Sequence, residues 1–264
     1  MTMKKQLVSS QFPLQLLSRI EDAGLNASAT SQQLLIDGWL LRFSKGAAKR
    51  SRCINAIAAG LMPLSDRIAL CEPVYEGAGL PMLMRITPFS EPSGLDDALD
   101  MLGWRRFDDT RVMVLTDLTA VEPPDLPLEW RIEPVDQETF AVQFGRMRSL
   151  TPTQCAAHAQ RLTDAPVPHN AVVVRQEGEV VACGQIAIHM HIVGLYDICT
   201  APSERGRGLG KSLCQHLLRQ AHELGAHCAY LQVDAENTTA RALYQKLGFA
   251  DAYAYHYRTN EAEV

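Results

Sequence analysis

What the chain lacks narrows the field first. No stretch approaches the ~18 consecutive apolar residues of a membrane helix, so no membrane span is expected. Positive charge is not in excess: 25 Lys and Arg stand against 30 Asp and Glu, a net charge of −5. Without a global basic field, nothing draws nucleic acid or an acidic membrane surface to the chain. Basic residues are scattered, apart from residues 45–52 and one turn described below. There is no Cys-x-x-Cys pair either. The seven cysteines (Cys53, Cys71, Cys155, Cys183, Cys199, Cys214 and Cys228) are odd in number, widely spaced and set mainly in apolar stretches. They read as small buried hydrophobes in a reducing compartment, not as a disulfide framework.

A secretory leader is not expected. Residues 1–8 superficially look like one, and Ala27-Ser28-Ala29 could pass for a cleavage site. Ser9, Ser10 and Gln11 break the apolar core, however, and Glu21 and Asp22 precede the supposed cut. The expected location is cytoplasmic. With 264 residues, 47% of them hydrophobic and 21% charged, the chain has material for one large or two ordinary globular domains.

The most informative stretch is residues 193–224. Residues 193–200 are apolar and β-compatible, and Pro202 stops them. From Leu209 onward, Leu213, Cys214, Leu217, Leu218, Ala221 and Leu224 keep helical spacing, and Gly225 stands where a C-cap belongs. The order is strand, Gly-rich turn, helix. Gly206, Gly208 and Gly210 let a ligand approach the backbone, and the amides of the first helical turn lack intrahelical partners. With the helix dipole, that suits a phosphate or pyrophosphate. Arg205, Arg207 and Lys211 add full positive charges. A P-loop is excluded because Arg205 stands where its first glycine belongs. A Rossmann turn is excluded because Leu213 replaces its third glycine.

Arg205-x-x-Gly208-x-Gly210 resembles the acyl-CoA signature of the GNAT superfamily of N-acetyltransferases. Downstream of a strand at 230–234, Asn237-x-x-Ala240-x-x-Leu243-Tyr244-x-x-x-Gly248-Phe249 resembles that family's second landmark. The resemblance covers about the last half of the chain. It implies an α/β fold, a mixed sheet flanked by helices. From residue 128 the pattern fits throughout: strands at 128–134, 170–175, 179–190, 192–200, 228–233 and 253–257, with helices at 138–147, 152–162, 208–224 and 238–247.

The first half reads as a helix from about 13, a hairpin at 34–43 about Asp37-Gly38, and a strand at 52–59. A helix at 64–72 is stopped by Pro73, and a strand at 81–87, a helix at 94–102 and a strand at 111–117 follow. Leu99-x-x-Leu102-Gly103-Trp104 echoes Tyr244-x-x-Leu247-Gly248-Phe249. Two tandem copies of the fold are therefore expected. Residues 1–120 form a degenerate copy, 121–127 a Pro-rich stiff linker, and 128–264 the catalytic copy. The first copy offers only Met62-Pro63-Leu64-Ser65-Asp66 at the phosphate turn, so it is not expected to hold CoA.

The resemblance implies acetyl transfer from acetyl-CoA, as co-substrate, to the primary amine of a small molecule or peptide by direct attack. It assigns the backbone of Ile198, Cys199 and Thr200 and the turn Arg205, Gly206, Arg207, Gly208, Leu209, Gly210, Lys211 and Ser212 to the cofactor. Asn237 takes a polar cofactor-side position. Tyr244 is the expected proton donor to the thiolate and also touches the cofactor. Asp197 is the expected base, with His189 and His191 as alternatives and a base-free mechanism also open. No metal is expected, since no third ligand accompanies the two histidines. Carboxylates such as Glu133, Asp136, Glu138 and Asp164 point to a small cationic amine. A non-catalytic acyl-CoA sensor and an acyltransferase for longer chains stay open as rivals, and so does pairing of two chains into a homodimer.

Overall fold

The computed structural model describes residues 8–262. The first seven residues of the leader-like stretch, Leu7 included, lie outside them. The N-terminal half runs α1 (Leu14–Ala27), β1 (Gln33–Ile36), β2 (Trp39–Arg42), β3 (Ile54–Ala56), α2 (Leu64–Ala78), β4 (Met84–Ile86), α3 (Leu95–Met101), β5 (Arg105–Leu115). The C-terminal half runs β6 (Trp130–Val135), α4 (Gln137–Arg148), α5 (Pro152–Thr163), β7 (His169–Gln176), β8 (Glu179–His189), β9 (Ile192–Thr200), α6 (Leu209–Glu223), β10 (Cys228–Asp234), α7 (Thr238–Lys246), β11 (Ala250–Thr259). Among the described residues these strands form a single mixed sheet with helices on both faces.

The sheet order is β1-β2-β3-β4-β11-β5-β10-β9-β8-β7-β6. The halves have exchanged their last strands. β5, the end of the first half, lies between β10 and β11, and β11, the end of the second half, lies between β4 and β5. What residues 121–127 separate in sequence, the sheet joins in space. Nor does that stretch hang free: Ser212 Oγ donates to the Asp125 carbonyl at 2.7 Å and Arg219 Nη1 to the Val121 carbonyl at 3.3 Å.

Both faces of the sheet are buried, and residue alternation sorts the side chains. On β7, Val172 and Val174 enter the core under α6, while Ala171 and Val173 enter the core under α4 and α5. On β5, Met113 and Leu115 join the α6 side, while Val112 and Val114 join a core built around α1. Leu213, Leu217 and Leu218 of α6 are fully buried, each stabilising by roughly 1.5–3 kcal/mol.

Two elements differ most from their sequence reading. α2 continues to Ala78 through Pro73, which is exposed. Ile68, Cys71 and Tyr75 hold the helix on the core on both sides of the proline, and Tyr75 donates to the Arg42 carbonyl at 3.0 Å. This packing outweighs the ~3 kcal/mol that an interior proline costs. β5 starts at Arg105, not 111, because Arg105, Arg106 and Phe107 pair with Thr259, Arg258 and Tyr257 of β11.

The exchanged β11 is fastened to the first half by charge. Asp96 of α3 accepts from His256 Nε2 at 2.8 Å and from Arg258 Nε at 2.7 Å. Burial would raise this carboxyl, but the two donors prevail and hold it at about 2. Its contribution is therefore fully present above the ordinary carboxylate value and lost as pH falls through about 2. Asp96→Asn is expected to lower Tm at neutral pH, with the gap from wild type closing as the pH approaches 2. A Tm–pH series on both proteins checks this.

Candidate active site

The Gly-rich turn leads from β9 into α6. Gly206 and Gly208 have φ of +77° and +87°. Gly208 is the N-cap of α6, and no side chain caps the helix in its place. The backbone N–H groups of residues 206–210 donate to no other group among the described residues. Except for Leu209 and Gly210, this turn is exposed. Unpaired amides at a helix N-terminus suit an anion.

The side chains of this turn divide. Lys211 is exposed, and Arg205 makes only one long bond, at 3.4 Å, to the Thr200 carbonyl. Arg207 is tied back to Glu204 and Glu129 and lies 5.1 Å over the Trp130 ring. Ser212 is buried and spends its hydroxyl on Asp125. Leu209 is a core residue. These last three can serve a ligand through backbone only.

The first half has the same strand–turn–helix with the cradle filled. Gly60, Leu61 and Met62 lead into α2, and the Leu61 and Met62 amides donate to the Asp37 carboxylate, each at 2.9 Å. Arg67 Nε lies 3.1 Å from the same carboxylate. The two backbone donors hold the Asp37 carboxyl below its usual range. Gly60 permits this approach, since a Cβ there would meet the Asp37 carbonyl oxygen at 2.3 Å. The helix echo also holds in geometry. The Trp104 amide bonds the Leu99 carbonyl at 3.0 Å as Phe249 bonds Tyr244 at 3.0 Å, so Leu99 stands where the second half has a phenol. Among the described residues, the first half therefore has neither an open cradle at this turn nor a phenol at the position matching Tyr244.

β9 and β10 run parallel and pair only from Ile192↔Cys228 to Leu195↔Leu231. Beyond that they part into a V, so residues 196–200 present an unpaired edge. The cause lies in β9. Asp197 has φ +53° and sits at a bulge, where the register with β8 slips between Cys183 and Gln185. Inside the bulge, Asp197 accepts a short hydrogen bond from Gln185 Nε2 and lies 3.2 Å from His158 Nε2. His158 Nδ1 in turn accepts from Arg161 at 3.3 Å. Burial would raise the Asp197 carboxyl, but His158, Arg161 and Gln185 overcome it and hold it far below the carboxylate range. A carboxylate so held has little affinity for a proton. This favours a positioning role over the expected role as base.

Tyr244, on α7, packs its ring edge-on against Phe249 with centroids 6.1 Å apart, and its hydroxyl bonds no protein group among the described residues. Burial raises its phenol above the ordinary value, so it stays protonated at neutral pH. Asn237 caps α7, its Oδ1 accepting from the Ala240 amide at 3.1 Å and its amide group left over. Cys199 is half-buried with its thiol raised by burial, which leaves it a poor nucleophile. His189 and His191 flank the β8–β9 turn at the opposite end of β9 from the V. His191 bonds the Gly225 carbonyl and stacks on His227, and His189 lies against Asn26. Neither reaches the site.

On the α5 side of the V stand two arginines that the sequence reading did not single out. Arg50, between β2 and β3, lies 5.7 Å over Tyr196 and donates to Gln232 of β10 at 3.1 Å. Arg161 donates to the Ala27 carbonyl at 3.0 Å. The available signals were the basic run at 45–52 and the i,i+3 pair His158 and Arg161 on a helix at the substrate side. Nearby, a cleft of about 740 Å³ lies between α5 and the first half, with Lys45 and Arg161 as its only charged lining residues. The acidic residues expected there are engaged elsewhere or set apart. Glu133 pairs with Arg175, Asp136 caps α4, Asp164 accepts from Gln160, and Glu138 is exposed on the first turn of α4.

Comparison with known proteins adds the following. A profile of the acetyltransferase (GNAT) family matches residues 132–249. The N-acetyltransferase YobR of Bacillus subtilis strain 168, described as uncharacterized, is 27% identical over 230 residues, 86% of this chain and 91% of that protein. The ribosomal protein bS18-alanine N-acetyltransferase of Escherichia coli K12 is 26% identical over 144 residues, 52% of this chain and 83% of that one. In fold, the chain is similar to a GCN5-related N-acetyltransferase from Kribbella flavida, with a TM-score of 0.68 at 16% identity over 94% of this chain and 96% of that one. It is also similar to a tandem GNAT protein from the clavulanic acid biosynthesis pathway, with a TM-score of 0.62 at 15% identity over 77% and 72%.

Proposed function

Because the chain belongs to the GNAT superfamily of N-acetyltransferases, matched through residues 132–249, we propose that it moves the acetyl group of acetyl-CoA to a primary amine by direct attack. The observation that carries this reading is the contrast between the halves. The amides of residues 206–210 are open, whereas their counterparts at Leu61 and Met62 are taken by Asp37.

The open amides, with Arg205 and Lys211, hold the pyrophosphate. The free edge of β9 at Ile198, Cys199 and Thr200 pairs with the extended arm of the cofactor as an added strand would. The bound thioester supplies an activated acyl carbon. Around it, a backbone N–H of β9 polarises the carbonyl, and Tyr244 hands its proton to the sulfur as the thiolate departs. Asp197 fixes the bulge, and with it the direction of that edge. No described side chain at the V combines a free position with the basicity of a general base. The amine therefore arrives neutral or loses its proton to water.

The charge on the acceptor side is positive, from Arg50, Arg161 and Lys45, which favours an amine that also carries an anionic group. In a panel of amino acids and the matching decarboxylated amines, the amino acids are expected to show kcat/KM at least about tenfold higher. Equal or better turnover of the decarboxylated set would remove that assignment.

The cofactor assignment is tested by titrating acetyl-CoA into wild type and Gly208→Glu. At φ +87° any side chain is strained, and this one sets a carboxylate in the anion cradle. Wild type is expected to bind one acetyl-CoA per chain, not two, and the variant none. Equal binding by both would overturn the site.

A further inference from the structure

Behind the V, between residues of α1 and of β2, β3, β4 and β10, lies a small pocket lined by Arg42, Arg50, Arg85, Asn55 and Gln232, among others. The space open to the centre of a water-sized sphere is about 10 Å³. That is room for a small species such as a water or a monoatomic ion. Three arginines on one such space is an unusual concentration of charge. Arg42 and Arg85 are each only 3% exposed.

Each of these arginines keeps a buried N–H without a partner: Arg42 at Nη1, Arg50 at Nε and Arg85 at Nε. Two of the acceptors nearby are already used. Glu21 takes both terminal nitrogens of Arg85 and the Tyr253 hydroxyl, and Gln232 Oε1 takes Arg50 and the Tyr255 hydroxyl. Arg161, on α5, adds to the positive field on Arg42, and Cys53 stays a neutral thiol because burial pushes it up to about 11. Three cations face one carboxylate. Burial, with repulsion from Arg85 and Arg161, draws Arg42 down to about 10. A water would accept from two of the three donors and leave the excess charge unanswered. A monoatomic anion answers it.

We propose that this cavity binds a single halide-sized anion, chloride in the cell, through the buried guanidinium N–H groups of Arg42, Arg50 and Arg85. The site couples the halves. Arg42 and Arg85 belong to β2 and β4 of the first half, and Arg50 reaches from it to Gln232, the first β10 residue past the last β9 pair. The anion thus stiffens the wall of the V on which the acceptor side is built.

The test is thermal unfolding at constant ionic strength with gluconate exchanged for chloride or bromide, alongside bromide-soaked crystals of the wild type. Tm is expected to rise saturably with either halide. At tenfold excess over Kd the folded-to-unfolded ratio rises about elevenfold, which for a chain of this size is a few degrees. One anomalous peak is expected in contact with Arg42 and Arg50. Arg42→Met, which keeps much of the apolar stem, is expected to lose the halide dependence. A Tm indifferent to the anion, a water at that position, or halide peaks on the surface alone would each overturn the proposal. If Arg42→Met does not fold, the wild-type crystals still decide it.

Discussion

Tyr244→Phe is expected to lower kcat about a hundredfold while leaving acetyl-CoA affinity within about threefold, since a positioned acid contributes roughly 10²–10⁴. Only an oxygen is removed. The ring contact with Phe249 stays, and no described protein group loses a hydrogen bond, because the hydroxyl has no partner among the described residues. Stability should therefore hardly change. Burial keeps the phenol protonated well past neutrality, so its loss lowers the plateau of the pH–rate profile and does not shift the acid limb. Stopped-flow thiol release, set beside a binding isotherm, separates the two quantities. Loss of cofactor binding with kcat preserved would recast Tyr244 as a packing residue.

Asp197→Ala is expected to be the most damaging single change in stability, at roughly 3 kcal/mol, because removing a buried carboxylate leaves a buried cation uncompensated. That cation is Arg161, with His158 and Gln185 losing their acceptor. Released from them, residue 197 has no reason to keep φ +53°, so the bulge relaxes and the free edge at Ile198, Cys199 and Thr200 turns. Cofactor affinity and kcat should then fall together. Asp197→Asn preserves the shape and is expected to retain most of the activity. A general base would behave in the opposite way, losing kcat in the Asn variant at unchanged affinity. The pH dependence has a definite sign. The folded carboxyl is depressed, so its stabilisation is complete above the unfolded value of about 3.9 and fades as pH falls below it. The Tm curves of wild type and Asp197→Ala should converge in acid.

Legibility varied along the chain for physical reasons. Residues 192–200 and 209–223 could be read almost to the residue, because an apolar run bounded by Pro202 and a helix bounded by Gly208 and Gly225 carry their own punctuation. The hairpin turns at Asp37-Gly38 and Glu177-Gly178 were legible for the same reason, with both residues of each at positive φ. The first six residues of β5 were not, since Arg105, Arg106, Asp108 and Asp109 look like loop until β11 lies beside them. Asp197 was visible as a carboxylate on a strand. Its burial and its contact with His158, some forty residues earlier, were not. The acidic residues that pointed to a cationic amine could be read from the sequence, but their partners, Arg175 for Glu133 and Gln160 for Asp164, could not.

By itself the sequence determined what local chemistry can fix: the strand–turn–helix with open amides, the phenol at Tyr244 and the missing cradle and phenol in the first half. Each is written in residues close together along the chain. The tertiary structure alone decided what depends on distant pairing: the exchange of β5 and β11, the Asp37 carboxylate seated on the Leu61 and Met62 amides, and the arginines gathered behind the V. Strand pairing and charge placement are set by which surfaces meet. A chain read in order carries no distances between residues far apart in it.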